Sequence, residues 1–438
     1  MKAVVIGSGF AGLAAAYRLQ KADWEVIVLE AADEIGGRTR SFRKQGYLLE
    51  RGATQLSTGY KAYLALAEEV GMADQIAECS NTIMLMRQGR LYEIDGTKPL
   101  RALLSGALSW RSKLTMVRAV LDYLKHRPTD VLDVSEAHAA DTESAQDYTL
   151  RRLNREIYDV LVDPLIRTYT INRGANVSAL EWYSGLANLA GQRMLALRGG
   201  INAFPAKLAS LLDVRLSSPV REVRKIPGGV RVSQGEDGEI EADACIVATR
   251  LPEAAAMLPE MAEVIAPLDR VLHYNRAVNV YLGYTRRTNT QALGVLVPVV
   301  EHPNIGLVWL DHNKLAETAP GGHSLITCYF EEGGLDQLAA RSDADFVEIA
   351  QRLVERLFPE LAGTRDMAEV LRWDRAIPNP APGVYKAIHT MKHRLDPASP
   401  IQLAGDYFTC TGQNSAIHWG QVAAGNLIHH IGRSNAEM

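Results

Sequence analysis

The chain has 438 residues, of which 47% are hydrophobic and 22% are charged, and its formal net charge at pH 7 is −4. This size and composition predict a large buried core and two domains, and the charge gives no reason to expect a nucleic-acid partner. The four cysteines have no CxxC spacing, so they give no sign of a disulfide framework or a zinc site and favour a cytoplasmic protein. The N-terminus does not resemble a secretion signal, and no apolar run approaches the roughly 20 residues of a membrane helix.

The first thirty residues predict a strand, a glycine turn, a helix and a second strand. Lys2–Ile6 has the composition of a short buried strand, and residues 13–21 have the apolar spacing of a helix. The second strand, Glu25–Leu29, ends at Glu30, where a carboxylate can accept hydrogen bonds from a ribose hydroxyl. This order is typical of a Rossmann-type dinucleotide site, and the acid favours a free 2′-hydroxyl over the 2′-phosphate of NADP.

The turn carries a GxGxxG motif in which each glycine has a separate purpose. Gly7 permits the tight turn, Gly9 lets the backbone approach a pyrophosphate, and Gly12 allows the helix to lie close to the strand. Free backbone N–H groups at the helix N-terminus, around Phe10 and Ala11, are expected to hold the phosphates.

The next two segments narrow the choice of dinucleotide cofactor. A pair of glycines ending at Gly37 is followed by Arg38, and a second segment contains Gly52, Ala53 and Thr54. These segments resemble the GG(R) and GA segments of the flavin amine oxidase superfamily, which includes protoporphyrinogen oxidases, plant-type phytoene desaturases and hydroxysqualene dehydroxylases. The resemblance implies that Gly37 and Arg38 contact the pyrophosphate of FAD, for which the planar arginine fork is suited. It also implies that the second segment passes close to the flavin ring.

The middle and the end of the chain supply further matches. Residues 198–252 predict a helix followed by alternating strands, and similarity to the family implies that the backbone near Val220 contacts the adenine. Ile401–Asp406 predicts a buried strand that ends in Gly405 and Asp406, which match the family's AGD. The carboxylate can accept a hydrogen bond from a ribityl hydroxyl. The N-terminus of the following helix, predicted at about 415–431, can stabilise the electron-rich edge of the flavin.

That helix begins with a run similar to the TG.PA segment of the dehydroxylases and desaturases, which implies cofactor contacts at Ala416 and Ile417. The family's EGA is replaced here by His418, Trp419 and Gly420. Because a tryptophan stands where the family has glycine, Trp419 is a candidate for the substrate pocket.

We therefore predict an α/β fold with a discontinuous Rossmann-type FAD-binding domain at 1–75, 196–255 and 395–438. A mixed α+β substrate-binding domain is predicted at 76–195 and 256–394. The expected cofactor is non-covalent FAD, because Cys410 does not match the covalently attaching cysteine of monoamine oxidases. No metal site is predicted.

Four candidates for the substrate pocket come from the remaining similarities. Asn279 aligns with the lysine that holds a water near flavin N5 in many amine oxidases. Trp373 and Tyr385 belong to a stretch that resembles the "W..A.P.Y..G" of protoporphyrinogen oxidases and desaturases, although both also suit a core position. Gln55 adjoins the turn expected to face the flavin.

Residues 101–127 predict one or two helices with six basic residues and a single acid, Asp122. Two interpretations are open: a solvated helix face over a core, which we favour, and peripheral contact with an anionic membrane surface.

The inferred reaction is transfer of a hydride from a substrate C–H to flavin N5, with dioxygen as the expected electron acceptor and a quinone as an alternative. An apolar or polycyclic small molecule is the expected substrate, to be oxidised or desaturated. Oxidation of an amine to an imine is the alternative. An alternative of another class is a non-enzymatic prenyl-binding protein of the GDP-dissociation-inhibitor type, whose fold the sequence also resembles. The catalytic residues, the substrate and the oligomeric state stay open.

Overall fold

Short strands and helices alternate along the whole chain. The computed structural model describes residues 1–52, 54–95, 97–98, 105–126, 130–189, 191–338, 340–410 and 412–434. The helices are α1 (Phe10–Gln20), α2 (Lys61–Glu69), α3 (Trp110–His126), α4 (Ala145–Arg152), α5 (Arg155–Ile157), α6 (Asp163–Thr170), α7 (Ala179–Leu189), α8 (Ala203–Ala209), α9 (Leu251–Met257), α10 (Ala262–Asp269), α11 (Glu332–Leu335), α12 (Asp343–Leu357), α13 (Val384–Lys392) and α14 (Gln413–Ser434). The strands are β1 (Lys2–Ile6), β2 (Glu25–Leu29), β3 (Thr39–Lys44), β4 (Tyr47–Gly52), β5 (Leu56–Ser57), β6 (Ile76–Glu78), β7 (Thr82–Arg87), β8 (Arg90–Asp95), β9 (Met194–Leu197), β10 (Asp213–Arg215), β11 (Glu222–Ile226), β12 (Gly229–Ser233), β13 (Glu239–Ala242), β14 (Ala244–Val247), β15 (Tyr274–Tyr284), β16 (Gly294–Leu296), β17 (Ile305–Leu310), β18 (Ser324–Glu331), β19 (Arg365–Pro378) and β20 (Ile401–Leu403).

A five-stranded parallel sheet joins the two ends of the chain. Its strand order is β10-β2-β1-β14-β20, and every neighbouring pair is parallel. The central strands are continuous apolar runs, as expected of a sheet that is covered on both faces. All five strands therefore end at the same edge, where ligands bind in sheets of this kind.

Helices α1 and α14 lie side by side against this sheet. A Cβ atom on Gly420 of α14 would lie 2.2 Å from the backbone oxygen of Ala11 in α1. Only glycine permits that approach, and small buried residues continue the contact at Ala15, Ala423 and Ala424. The C-terminal helix is thus packed directly on the N-terminal one.

A second sheet has the order β19-β15-β18-β17-β16-β7-β8 and is antiparallel except between β16 and β7. Because successive side chains in a strand point to opposite faces, Val278, Val280 and Leu282 of β15 share a core with helix α12. The alternate residues point to the other face, where the hydroxyl of Tyr281 donates a hydrogen bond to the backbone oxygen of Glu50 in β4 at 2.6 Å. Strand β4 pairs with β3 in a separate two-stranded sheet.

The fold class is confirmed as α/β, with a doubly covered parallel sheet and a mixed second region. The strands of the parallel sheet all come from the three segments assigned to the FAD-binding domain, and the domain boundaries stay a prediction. Among the described residues, no helix combines the length and the apolar character that crossing a bilayer requires.

Candidate functional site

In the glycine turn after β1, two glycines are packed against backbone atoms and the third has free space beside it. Gly7 has a φ of +103°, and a Cβ atom there would lie 2.8 Å from the backbone oxygen of Ala248. A Cβ atom on Gly12 would lie only 1.9 Å from the oxygen of Gly7. On Gly9 it would meet no atom of the described chain within 4 Å. Since the first N–H groups of α1, from Phe10 and Ala11 onwards, lack intrahelical partners, this turn forms a cradle for a phosphate.

Glu30 is held in a fixed orientation at the end of β2. Its carboxylate accepts hydrogen bonds from the backbone N–H of Ser8 at 2.8 Å, the Ser8 hydroxyl at 2.7 Å and the N–H of Ala32 at 3.0 Å. A carboxylate has about four acceptor positions, so one is left for a ribose hydroxyl. The N–H of Ser218 donates to the backbone oxygen of Glu30 at 2.8 Å, which places Val220 two residues from the same strand end.

The segment around Gly37 lies against the cradle. The N–H of Gly36 donates to the backbone oxygen of Ser8 at 3.0 Å, and a Cβ atom on Gly37 would lie 3.5 Å from Cα of Gly9. The next residue, Arg38, forms an ion pair with Asp406 at 2.9 Å. Two residues predicted to contact FAD from opposite ends of the chain thus lie together, 368 positions apart in sequence.

The C-terminal part of the site is formed by a tight turn and the start of α14. A Cβ atom on Gly405 would overlap the ring of Tyr407 at 2.4 Å. Helix α14 begins at Gln413, two residues before the predicted start, and the N–H of Ala416 in its first turn donates to the oxygen of Gly412 at 3.1 Å. The Ile417 side chain is fully buried in the core that α1 and α2 share, so it packs the helix in place.

The segment predicted to face the flavin meets the second sheet. Gly52 has a φ of +90°, and a Cβ atom there would lie 3.6 Å from Cζ2 of Trp373. The Thr54 hydroxyl lies 3.4 Å from that of Tyr329, and Ala53 lies outside the described residues. The buried indole N–H of Trp373 and the buried Oε1 of Gln413 have no hydrogen-bond partner among the described residues. Orphaned buried polar atoms are costly, so these two, together with the open cradle at Gly9, fit a bound dinucleotide.

A cavity of ≈ 100 Å³ lies at the N-terminus of α14. Gln55, a predicted pocket residue, is part of its wall. The other lining residues are Leu56, Ser57, Tyr60, Val131, Leu132, Thr168, Tyr169, Glu181, Ser184, Gly185, Met194, Gly412, Asn414 and Ser415.

Glu181 is a buried carboxyl group in this wall that the sequence did not reveal. Its side chain is 1% exposed, and its Oε1 accepts a hydrogen bond from the Tyr385 hydroxyl at 2.8 Å. Burial raises the pKa of Glu181 to about 7, although the bond from Tyr385 lowers it. The local pattern, Ser178 followed three residues later by Glu181, is that of a helix capping box. Sequence reasoning alone would therefore assign this glutamate to the helix end.

Two predicted pocket residues, Tyr385 and Trp419, lie behind the wall of this cavity and do not line it. Tyr385 is fully buried, and its hydroxyl supports Glu181 from the core side. Trp419 stacks on Phe408 with ring centroids 4.5 Å apart, and its indole N–H donates to the backbone oxygen of Leu132 at 3.1 Å. Both are large rings that are packed in the main hydrophobic core. Trp419 fills space behind the cavity.

Asn279 lies on the face of β15 that looks towards β4. It is 3% exposed, and its amide nitrogen lies 3.4 Å from the Tyr281 hydroxyl. It pairs across the sheet with Tyr329, whose hydroxyl approaches Thr54. A neutral amide therefore occupies this buried position near the predicted flavin-facing segment.

Residues 10–428 match the sequence pattern of the family described as flavin containing amine oxidoreductase. The chain belongs to this family. A relative with the name coproporphyrinogen III oxidase, from Bacillus subtilis (strain 168), is 22% identical over 476 residues and covers 98% of both chains. The family assignment makes the protein an FAD-dependent oxidoreductase and overturns the alternative of a non-enzymatic prenyl-binding protein.

Solved structures share the fold. The crystal structure of a putative protoporphyrinogen oxidase from Exiguobacterium sp. 255-15 aligns with a TM-score of 0.73 at 20% identity, covering 97% of this chain and 98% of that one. The cyclohexylamine oxidase from Brevibacterium oxydans IH-35A aligns with a TM-score of 0.80 at 16% identity, covering 99% of both. Proteins named for tetrapyrrole and for amine substrates therefore have the same architecture.

Proposed function

We propose that the protein uses non-covalent FAD and dioxygen to oxidise or desaturate an apolar or polycyclic small molecule, with a porphyrinogen as the first candidate. The observation that carries this proposal is the full-length similarity to a coproporphyrinogen III oxidase. The neutral amide of Asn279, at the position where many amine oxidases are expected to carry lysine, points in the same direction.

Three separate sets of residues would hold the cofactor. The cradle at Gly9 suits the pyrophosphate and Glu30 suits the adenosine ribose. The ion pair of Arg38 with Asp406 joins the N-terminal segment to the segment that precedes α14. Non-covalent binding is supported by Cys410, whose side chain is fully buried in the main core. Burial raises the pKa of its thiol well above the usual value, which keeps it protonated and unreactive.

A bound flavin would supply the two-electron chemistry, taking a hydride equivalent from the substrate and passing the electrons to dioxygen, which becomes hydrogen peroxide. Each oxidation also releases one proton from the substrate. Glu181 is placed to accept that proton, because its carboxyl group lies in the cavity wall and its pKa is about 7. Tyr385 holds the carboxyl group in place from behind.

Anaerobic mixing of the purified holoenzyme with candidate substrates tests the proposal. Coproporphyrinogen III or protoporphyrinogen IX should bleach the flavin absorption bands, and readmission of air should restore them with release of peroxide. Bleaching by amines with none by porphyrinogens would contradict it. Flavin that stays on the precipitate after denaturation would refute non-covalent binding.

Amine oxidation is kept as a second candidate because of one observation. A buried carboxyl group in the cavity wall, Glu181, is a suitable counter-ion for an ammonium group once it is ionised. In that case the Glu181→Gln variant should raise KM for the amine far more than it changes kcat. A porphyrinogen, which has no ammonium group, should not show this split.

A further inference from the structure

Helix α3 carries an apolar ridge that points away from the protein. Large hydrophobic side chains recur along one side of the helix at intervals of three and four residues, and each is 55–71% exposed. The apolar ridge consists of Trp110, Leu114, Val117, Val120, Leu121 and Leu124. Six of the eleven exposed large hydrophobic residues of the described chain therefore lie on this one helix. A concentration of this kind marks an interaction surface.

The opposite side of α3 packs Met116 and Tyr123 on the main core and is fastened there by small and polar groups as well. Ser112 and Ala119 are buried, and the hydroxyl of Ser112 donates a hydrogen bond to Glu156. The Asp122 carboxylate accepts bonds from Arg152 at 2.7 and 2.9 Å. An ordinary surface helix exposes its polar side, whereas α3 exposes six large apolar side chains. For residues 110–126 the helix does lie over a core, as the favoured interpretation expects, but its outward side is apolar. Residues 101–104 and 127 lie outside the described part.

Positive charges flank the ridge. Arg111, Arg118 and Lys125 are exposed and stand seven residues apart, so they follow one edge of the ridge. The acid of this helix, Asp122, is neutralised by its ion pair with Arg152. The chain as a whole has a net charge of −4, so the charge at this surface is opposite to the average of the molecule. An apolar stripe edged by Lys and Arg is the pattern of helices that lie in a membrane interface.

We propose that the outward face of α3 docks onto an anionic lipid bilayer, with the apolar ridge among the acyl chains and the basic edge against the headgroups. A second copy of the chain fits this surface less well. An antiparallel symmetric contact between two ridges would place the two basic edges on the same side of the interface, where they repel, whereas anionic headgroups complement them.

Docking would bring the cavity wall close to the bilayer. Val131 and Leu132, which follow α3 in the chain, line the cavity. His126 at the end of α3 stacks on Tyr183 with ring centroids 5.8 Å apart, and Tyr183 shares helix α7 with Glu181. The idea that an apolar substrate passes from the lipid to this cavity rests on the proposed function, whereas the docking of α3 on a bilayer is independent of it.

Co-sedimentation of the holoenzyme with vesicles tests the docking. We expect binding to vesicles of phosphatidylcholine with phosphatidylglycerol, and at least tenfold weaker binding by the double variant Leu114→Glu/Leu121→Glu. Both side chains are exposed, so the variant should keep its flavin and its melting temperature. Val300→Glu is the matched control, because Val300 is 64% exposed and lies outside this helix, between β16 and β17, and it should bind as the parent does.

The charge of the surface is tested separately. Arg111→Gln/Arg118→Gln should reduce binding to the anionic vesicles severalfold, and added salt should do the same to the parent protein. Absence of the parent from the vesicle pellet would overturn the proposal, as would equal losses for the ridge variant and Val300→Glu. A dimer in solution that the ridge variant converts to a monomer would assign the ridge to self-association instead. If porphyrinogens fail as substrates, the vesicle result is unaffected.

Discussion

The carboxyl group of Glu181 shows how burial changes the pKa of a side chain in this protein. The group lies in a cavity wall, receives one hydrogen bond from Tyr385 and has a pKa near 7. An ionised carboxylate in such surroundings is costly. The folded protein therefore holds a proton there that the unfolded chain, with an ordinary pKa of 4.5, releases at neutral pH.

The difference between the folded-state and unfolded-state pKa of Glu181 predicts how the free energy of unfolding changes with pH. Between pH 4.5 and 7 the folded state binds more protons at Glu181 than the unfolded state, so stability is lost as pH rises through that window. Glu181→Gln keeps the acceptor for Tyr385 and removes the titration. We expect the variant to be more stable than the parent at pH 8, by about 3 kcal/mol at most, and similar at pH 4. Urea unfolding at the two pH values measures this, and Glu348→Gln, at an exposed position, is the control. A variant that is less stable at pH 8 would contradict it.

The glycine turn gives a prediction with an internal control. Gly9 has an ordinary φ of −71°, and a Cβ atom there meets no atom of the described chain within 4 Å. Gly9→Ala should therefore fold normally and bind FAD at least tenfold more weakly, by occupying the phosphate cradle. Gly12→Ala should lose both folding and FAD, because its Cβ atom overlaps a backbone oxygen. Apo-protein melting and FAD titration separate the two outcomes. Unchanged FAD affinity in Gly9→Ala would place the pyrophosphate elsewhere.

The residues that the sequence could predict are those whose chemistry is local. One short motif contains Gly7, Gly9, Gly12 and Glu30. Its spacing alone predicts the strand, the turn, the helix and the second strand. Burial is a property of the whole fold, so Tyr385 was indistinguishable from a pocket residue. Glu181 was hidden for the same reason, since only its neighbours in space distinguish a cavity carboxyl from a capping residue.

At the level of elements, the contact between α1 and α14 depends on a glycine, Gly420, which has no side chain. Gly420→Ala would push a Cβ atom against the backbone of Ala11 and separate the two helices. Gly425 in the same helix has no atom of the described chain within 4 Å of a Cβ position. We expect Gly420→Ala to destabilise the protein by about 2–4 kcal/mol. Gly425→Ala should stabilise it by up to about 1 kcal/mol through helix propensity. Denaturant unfolding measures both, and equal effects would refute the packing argument.

Elements with strong periodicity were predictable, and their partners were not. The strands at Lys2–Ile6 and Glu25–Leu29 were predicted with their observed bounds, and the last helix within a few residues. The parallel pairing of β16 with the distant β7 left no sign in either strand. Helix α3 illustrates the same limit, because an apolar stripe has the same period whether it faces a core or the solvent.

On the scale of the whole molecule, FAD would bridge segments that are far apart in sequence. The cradle, the ion pair of Arg38 with Asp406 and the start of α14 come from residues 7–12, 38 and 406–416. Ligand bound only to the folded state stabilises it. Removal of FAD should therefore lower the melting temperature. Readdition at 100 times the Kd should restore about 2.7 kcal/mol. The Gly9→Ala variant should regain less at the same concentration, and an equal recovery would argue against this site.

The position of β20 in the parallel sheet has a consequence for the order of events during synthesis. β20 pairs with β14, and α14 covers α1, yet both are translated after residue 400. At about 5–20 residues per second, roughly 20–80 s pass before they leave the ribosome. For that time the nascent chain has an open strand edge and an uncovered row of alanines. If Asp406 and the start of α14 hold FAD as proposed, we expect stable FAD binding only after these last residues have been translated.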